Sequence, residues 1–198
     1  MTTKVELPEE IQNVLSWLKD NGFTAALVGG YCRKLKYGKD TSDIDIAVLV
    51  ETIDEIEVLQ NEFGVPVHKR SVLEKAEKSL YEGHTGFVAD WREGNINIIA
   101  YDKYSYNDIP TLVQSFDFNF NMWYVDEDGT LKNPDPFVEV HKVRLGNSLG
   151  SRPSVARLAR FYNEFSAWDW KLADEQLQSE KELGKLLGWQ HVRFPEVN

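Results

Sequence analysis

The sequence has a single cysteine, Cys32, among its 198 residues. An intrachain disulfide is therefore excluded, as is a zinc site built on several thiolates. A reducing setting is expected, and we read the chain as cytoplasmic. Long apolar runs are missing too. None approaches the ~18 residues that mark a membrane span, and the opening MTTKVELPEEIQ has no apolar signal core. No membrane partner is expected. Positive charge is scarce: 22 Lys and Arg stand against 32 Asp and Glu, a formal net charge of -10. The overall field gives no help in approaching nucleic acid, so any polyanion site must be a local basic patch. The four histidines, His68, His84, His141 and His191, have no zinc-site spacing. Fixed-period repeats and low-complexity tracts are absent.

What is present is a globular composition, with 42% hydrophobic residues, too many for a disordered chain. Residues 8 to 21 predict an amphipathic helix, with Ile11, Val14, Leu15 and Leu18 on one stripe and Gly22 as its stop. TAALV (24–28) predicts a short strand, YCRKLKYG a short helix, and DIDIAVLV (43–50) a strand. Thr52 and Glu55 have capping-box spacing at the head of another helix. VPVHK predicts a strand and residues 71 to 80 a helix. TGFVADW and INIIAYD flank the turn REGN, and FNFNMWYV and TLKN flank the turn DEDG. SVARLARFYNEFSAWDW and DEQLQSEKELGKLLG have helical content. Trp168, Trp170 and Trp189 in that tail are expected to pack helices rather than stack bases. The expected class is α+β: a small mixed or antiparallel sheet flanked by helices, then a helical extension. The composition shift at GNSLGSRPS places the boundary between a head domain, 1–148, and a neck-like extension, 149–198.

Asp43 and Asp45 are two apart on a predicted strand, so their carboxylates share a face while Ile44 and Ile46 point the other way. Two adjacent carboxylates repel, and burial makes ionising both costly. A divalent cation relieves this, and Mg²⁺ takes one or two carboxylates plus substrate phosphates. An isolated DID also suits an edge strand with a solvated acidic face. Here Gly29 and Gly30 follow a strand and open a helix, where backbone amides attract phosphate. Arg33 and Lys34 come next. A phosphate-receptive turn beside a carboxylate pair implies a nucleoside triphosphate and Mg²⁺ or Mn²⁺.

With Gly29, Gly30, Arg33, Gly38, Asp43 and Asp45 in this order, the stretch resembles the head of the polymerase-β-type nucleotidyltransferases. The closest likeness is to tRNA nucleotidyltransferases and bacterial poly(A) polymerases. HTGFVADWREGNINIIAYD is similar to the hairpin that follows in that family. FDFNFNMWYVDEDGTLKNPDP is similar to its next block, through Asp117, Phe118, Asn121, Asp128 and Gly129. ARLARFYNEF is similar to its neck helix, through Arg157, Arg160 and Phe161. The four blocks span roughly residues 24 to 165 in the family's order.

The resemblance implies transfer of a nucleoside monophosphate from a nucleoside triphosphate to an acceptor hydroxyl, with Asp43 and Asp45 as catalytic metal ligands. It implies that Gly29, Gly30 and Arg33 hold the triphosphate. Asp117 and Asn121 would contact sugar or phosphate, or serve only as turn and strand caps. Arg157 and Arg160, one helical turn apart, would reach the phosphates from the neck, or pair with acidic surface groups. The expected acceptor is an RNA or tRNA 3′ end. A degenerate member that binds nucleotide or a protein without chemistry is an alternative, as is nucleotidylation of a small molecule or protein. Departures bear on this. Asn97 stands where many members carry a third carboxylate, and Asp90 is a candidate substitute. Ser115 and Phe116 stand where the family has arginines. Gly150, Ser151 and Ser154 stand where CCA-adding enzymes select the base, and the chain ends at Asn198, so standard CCA addition is not expected. Lys69 and Arg70 offer an acceptor contact or a solvated basic end.

Overall fold

The computed structural model describes residues 3–38, 43–69, 86–147 and 152–186. Among these residues one mixed sheet holds eight strands: β1 (Thr3–Lys4), β2 (Thr24–Val28), β3 (Ile44–Val50), β4 (His68–Lys69), β5 (Phe87–Glu93), β6 (Ile96–Asp102), β7 (Tyr124–Val125) and β8 (Thr130–Lys132). Their spatial order is β1-β8-β7-β2-β3-β6-β5-β4. Only β3 and β6 run parallel; the other neighbours are antiparallel. A parallel pair needs a long crossover, and here it contains a helix. The central strands β3 and β6 are covered on both faces, which explains their near-continuous apolar sequences.

The two faces have different contents. Ile44, Ile46 and Val48 of β3 join Ile96, Ile98 and Ala100 of β6 in the larger core. Ile11, Val14 and Leu18 of helix α1 (Glu9–Asp20) close over that side, with Ile56 and Leu59 of α3 (Ile53–Phe63). Ala47, Leu49, Ile99 and Tyr101 point the other way, against Ile109, Leu112 and Val113 of α4 (Ile109–Val113). Asp45 shares this second face and sits at its end, where β3 begins.

Local signals explain most element boundaries. The capping box at α3 forms in both directions: Glu55 N–H donates to Thr52 Oγ1 at 3.3 Å, and Thr52 N–H donates to Glu55 Oε2 at 3.0 Å. Helix α2 (Gly30–Tyr37) ends on Gly38, whose φ of 68° is left-handed. Helix α5 (Val155–Glu164) starts on Ser154, which accepts from Arg157 N–H at 3.2 Å. Helix α6 (Lys171–Leu186) follows. Helix α4 was not expected, although Asp108 as cap and Pro110 in the first turn mark its start.

Two expectations differ from the structure. FNFNMWYV forms strand only at Tyr124–Val125, and Asn119–Asn121 makes a 3-10 turn. The buried asparagines decide this. Asn119 Nδ2 donates to the Lys142 carbonyl at 2.7 Å, and its own Oδ1 accepts from Arg144 N–H at 3.2 Å. Buried amides must be satisfied, and here that outweighs β propensity. VPVHK forms strand only at His68–Lys69. SVARLARFYNEFSAWDW carries helix α5, which ends at Glu164. Trp170 then turns back to donate its indole N–H to the Phe165 carbonyl at 3.0 Å. Phe161, Phe165 and Trp170 sit in the same buried cluster as Phe118 and Phe120. Trp168 packs edge-on against Phe165 and against Tyr37 of α2, and Trp170 lies against Tyr162 of α5. The proposed boundary at 148/149, the helix at 71 to 80, and Arg70, His84, Gly150, Ser151, Trp189 and His191 lie outside the described residues.

Candidate active site

Strand β2 ends at Val28, and the backbone turns at Gly29 with φ of 68° and ψ of -128°. That left-handed φ favours glycine. Gly29 N–H donates to the Trp123 carbonyl at 3.0 Å, and its own carbonyl accepts from Arg33 N–H at 3.0 Å, opening α2. A Cβ placed on Gly29 would stand 3.8 Å from Asp45 Oδ2 and 3.7 Å from Phe116 Cε2. The glycine backbone thus runs directly beside the second aspartate. The first amides of α2 have no intrahelical acceptor, the usual condition of a helix start.

Asp45 pairs in register with Val28 on one side and Asn97 on the other. Asp43 is exposed and immediately precedes the strand. Burial pushes the Asp45 carboxyl above the usual range; Asn97 opposes this by hydrogen bonding, Asp43 adds to it, and Arg157 and Arg92 oppose it at longer range. The local positive charge does not offset the desolvation of this acid. Two hard-oxygen groups under that condition fit one Mg²⁺ or Mn²⁺ ion. Among the described residues no third His, Cys, Asp or Glu joins them.

Asn97 does not take that place. Its Nδ2 donates to Asp45 Oδ1 at 3.0 Å, and its Oδ1 accepts from Arg92 Nε at 3.0 Å. Asp90 does not substitute either. It is turned to His68, whose Nδ1 lies 3.0 Å from Asp90 Oδ1 and whose backbone N–H donates to the same oxygen at 3.1 Å. Lys69 lies on the short edge strand beside it.

The cationic residues form a second group. Arg157 donates from Nε to Asp117 Oδ2, and Asn121 Nδ2 donates to Asp117 Oδ1 at 2.7 Å. Arg33 in turn donates to Asn121 Oδ1. Four expected site residues from three separate blocks are thus joined in one hydrogen-bonded chain. Arg160 stands beside them: the guanidinium carbons of Arg33, Arg157 and Arg160 lie 4.9, 5.0 and 4.6 Å from the Phe161 ring centre. Such contacts hold cations against an apolar face. Arg33 is only 8% exposed, and its Nε has no hydrogen-bond partner among the described residues. Burial pulls it below the usual guanidinium range; Arg157 and Arg160 add to this, while Glu164 and Asp117 oppose it.

Other expected positions have structural employment. Ser154 caps α5. Ser115 Oγ donates to the Leu112 carbonyl at 2.6 Å, and Phe116 lies against Gly29. His141 stacks on Trp168 with ring centres 4.7 Å apart. Sequence reasoning missed Arg92. Its place opposite position 97 follows from the REGN turn, which fixes the β5–β6 register.

The raised Asp45 pKa makes a signed prediction. The folded chain holds this proton to higher pH than the unfolded chain does. Stability therefore falls as pH rises from the ordinary carboxylate value through the raised one. A bound cation reverses the loss by competing with the proton. Thermal melts with EDTA or Mg²⁺, from about pH 5 to about pH 8, should show Mg²⁺ stabilisation growing with pH. The trend should be absent in Asp45→Asn. A Mg²⁺ effect that is flat with pH in both proteins contradicts it.

No protein-family model matches the sequence, and no curated protein matches it. Solved structures do. A tRNA-processing enzyme in an apo form aligns over 87% of this chain and 49% of its own, with 20% identity and a TM-score of 0.56. A second apo form of a tRNA-processing enzyme aligns over 72% and 38%, with 22% identity and a TM-score of 0.50. The Thermotoga maritima CCA-adding enzyme complexed with tRNA aligns over 76% and 37%, with 17% identity and a TM-score of 0.48. The chain spans less than half the length of each of these structures. The mixed α+β fold expected from the resemblance is the one found, and it is shared with the first of these solved tRNA-processing enzymes.

Proposed function

We propose that the protein is a Mg²⁺- or Mn²⁺-dependent nucleotidyltransferase that extends or caps an RNA 3′ end, with tRNA as the first acceptor to test. The observation that carries this reading is Asp45 set against the left-handed Gly29 turn, with Asp43 two residues before it. The acceptor oxygen forms a bond to the α-phosphorus, the bond to pyrophosphate breaks, and the hydroxyl proton leaves to solvent. Asp43 and Asp45 would hold the metal. When bound, such an ion lowers the hydroxyl pKa and takes up charge on the leaving oxygens. The Gly29 N–H is held by the Trp123 carbonyl, so the Gly30 amide at the start of α2 would face the triphosphate. Arg33, Arg157 and Arg160 supply the cationic wall, where guanidinium groups would meet phosphate oxygens. Asp117 and Asn121 fix two of those arginines, and their own polar atoms are used in doing so.

Standard CCA addition is not part of this reading, because Ser154 is spent on the α5 cap and offers no paired edge to a base. A reducing cytoplasm is the setting we infer, with Cys32 buried as a free thiol. A second reading, nucleotide binding without transfer, draws on Asn97 in a position where a carboxylate would add charge. Calorimetry with ATP and CTP, with and without Mg²⁺, followed by transfer assays on RNA, small hydroxylated acceptors and protein, separates the cases. Label in RNA supports the proposal. Label only in a small molecule or protein moves the acceptor. Tight binding without transfer favours the second reading.

A further inference from the structure

We propose that the site takes one divalent cation, held by Asp43 and Asp45, and that Arg92, locked by Asn97, supplies a second and permanent positive charge to the reacting phosphates. The inference rests on the nucleotidyltransferase reading and specifies how its charge is managed.

Asp45, Asn97 and Arg92 form one row across β3, β6 and β5, in direct register and on the same face of the sheet. The central amide is held at both ends. Its NH₂ donates to Asp45 at 3.0 Å, and its carbonyl oxygen accepts from Arg92 Nε at 3.0 Å. Exchanging the two ends would set an NH₂ group against the Arg92 N–H and a carbonyl against the Asp45 carboxylate. Both neighbours therefore fix the same orientation. The Asn97 oxygen is directed to β5 and is already used, while one Asp45 oxygen is occupied by a donor. Position 97 brings a hydrogen-bond donor to Asp45, not an anionic ligand.

What remains for cations is two carboxylates, with no third acidic or imidazole group among the described residues. Among the described residues, a second divalent ion would have no further protein anion to hold it. Arg92 stands on the far side of Asn97. It is exposed, and its terminal nitrogens have no partner among the described residues. Its charge is felt at Asp45. A guanidinium held by its Nε keeps its terminal N–H groups for phosphate oxygens, in the planar geometry that phosphate accepts.

The test uses the full chain, a non-hydrolysable nucleoside triphosphate and Mn²⁺, with protein in excess. Titration and electron paramagnetic resonance read the number of Mn²⁺ ions per complex. One magnetically isolated ion is expected; two coupled ions overturn the inference while leaving the nucleotidyltransferase reading intact. Absence of any Mn²⁺-dependent nucleotide binding overturns both. Arg92→Ala should weaken nucleotide affinity about tenfold with the stoichiometry still one, and Arg92→Lys should recover part of it. Unchanged affinity in Arg92→Ala overturns the role of Arg92. The Asn97→Asp, Arg92→Ala double variant should admit a second, coupled ion, a readout that a purely structural role for this pair would not move. If it still binds one ion, the inference fails.

Discussion

Asp45→Asn will lower nucleotidyl transfer by about a thousandfold or more, without lowering the melting temperature of the metal-free protein. The first half follows from charge. A metal ion supplies several kcal/mol of transition-state stabilisation, and each ~1.4 kcal/mol is worth about tenfold in rate. Asparagine keeps the shape but loses the anionic oxygen that lies beside the Gly29 backbone. The second half follows from burial. Burial makes ionising Asp45 costly, which raises its pKa. A neutral amide removes that cost, and its oxygen can still accept from Asn97. Transfer rates and melts in EDTA at neutral pH check both halves. A variant with retained transfer, or one that melts well below the wild type, contradicts the account.

Gly146→Ala is expected to have the largest effect on stability. A Cβ there would lie 1.9 Å from the Phe116 carbonyl oxygen and 3.0 Å from the Gln114 oxygen. Both are backbone atoms, so no flexible side chain can give way. The chain is tied at the same point by Gly146 N–H to the Asp117 carbonyl at 3.2 Å and Asn147 N–H to the Gln114 carbonyl at 2.9 Å. Overpacking in a dense interior costs about 1–3 kcal/mol and more where backbone must move. For a chain of this size we expect the melting temperature to fall by roughly 10 °C. Gly94→Ala is the contrast. Its φ of 60° is left-handed, but a Cβ there meets nothing within 4 Å. Only backbone strain of about 1 kcal/mol applies. Equal losses in the two variants would mean that the contact at Gly146 is not what forbids a side chain.

The parts of the fold legible in the sequence are those set by local chemistry. The stripe on α1, the Thr52–Glu55 box and the apolar β3 core strand each need only neighbouring residues. The Gly29 turn and the Asp43–Asp45 spacing were legible for the same reason. The order of the strands was not, because pairing β2 with β7 and β3 with β6 joins distant segments. The FNFNMWYV stretch misled because its asparagines are committed to Lys142, Arg144, Asp117 and Arg33, partners that no local pattern reveals. Asn97 was legible as an anomaly. Its meaning came only with Arg92, once the hairpin register set the two opposite each other. The burial of Arg33 likewise depended on Phe161, more than a hundred residues away.

The most direct test is transfer of label from α-³²P nucleoside triphosphates to total tRNA, with Mg²⁺, in parallel for the wild type and Asp45→Asn. We predict label in RNA with the wild type, loss of that label with EDTA, and none above background with the variant. No transfer from any of the four nucleotides, or equal transfer by both proteins, would contradict the assignment of this site as a nucleotidyltransferase centre.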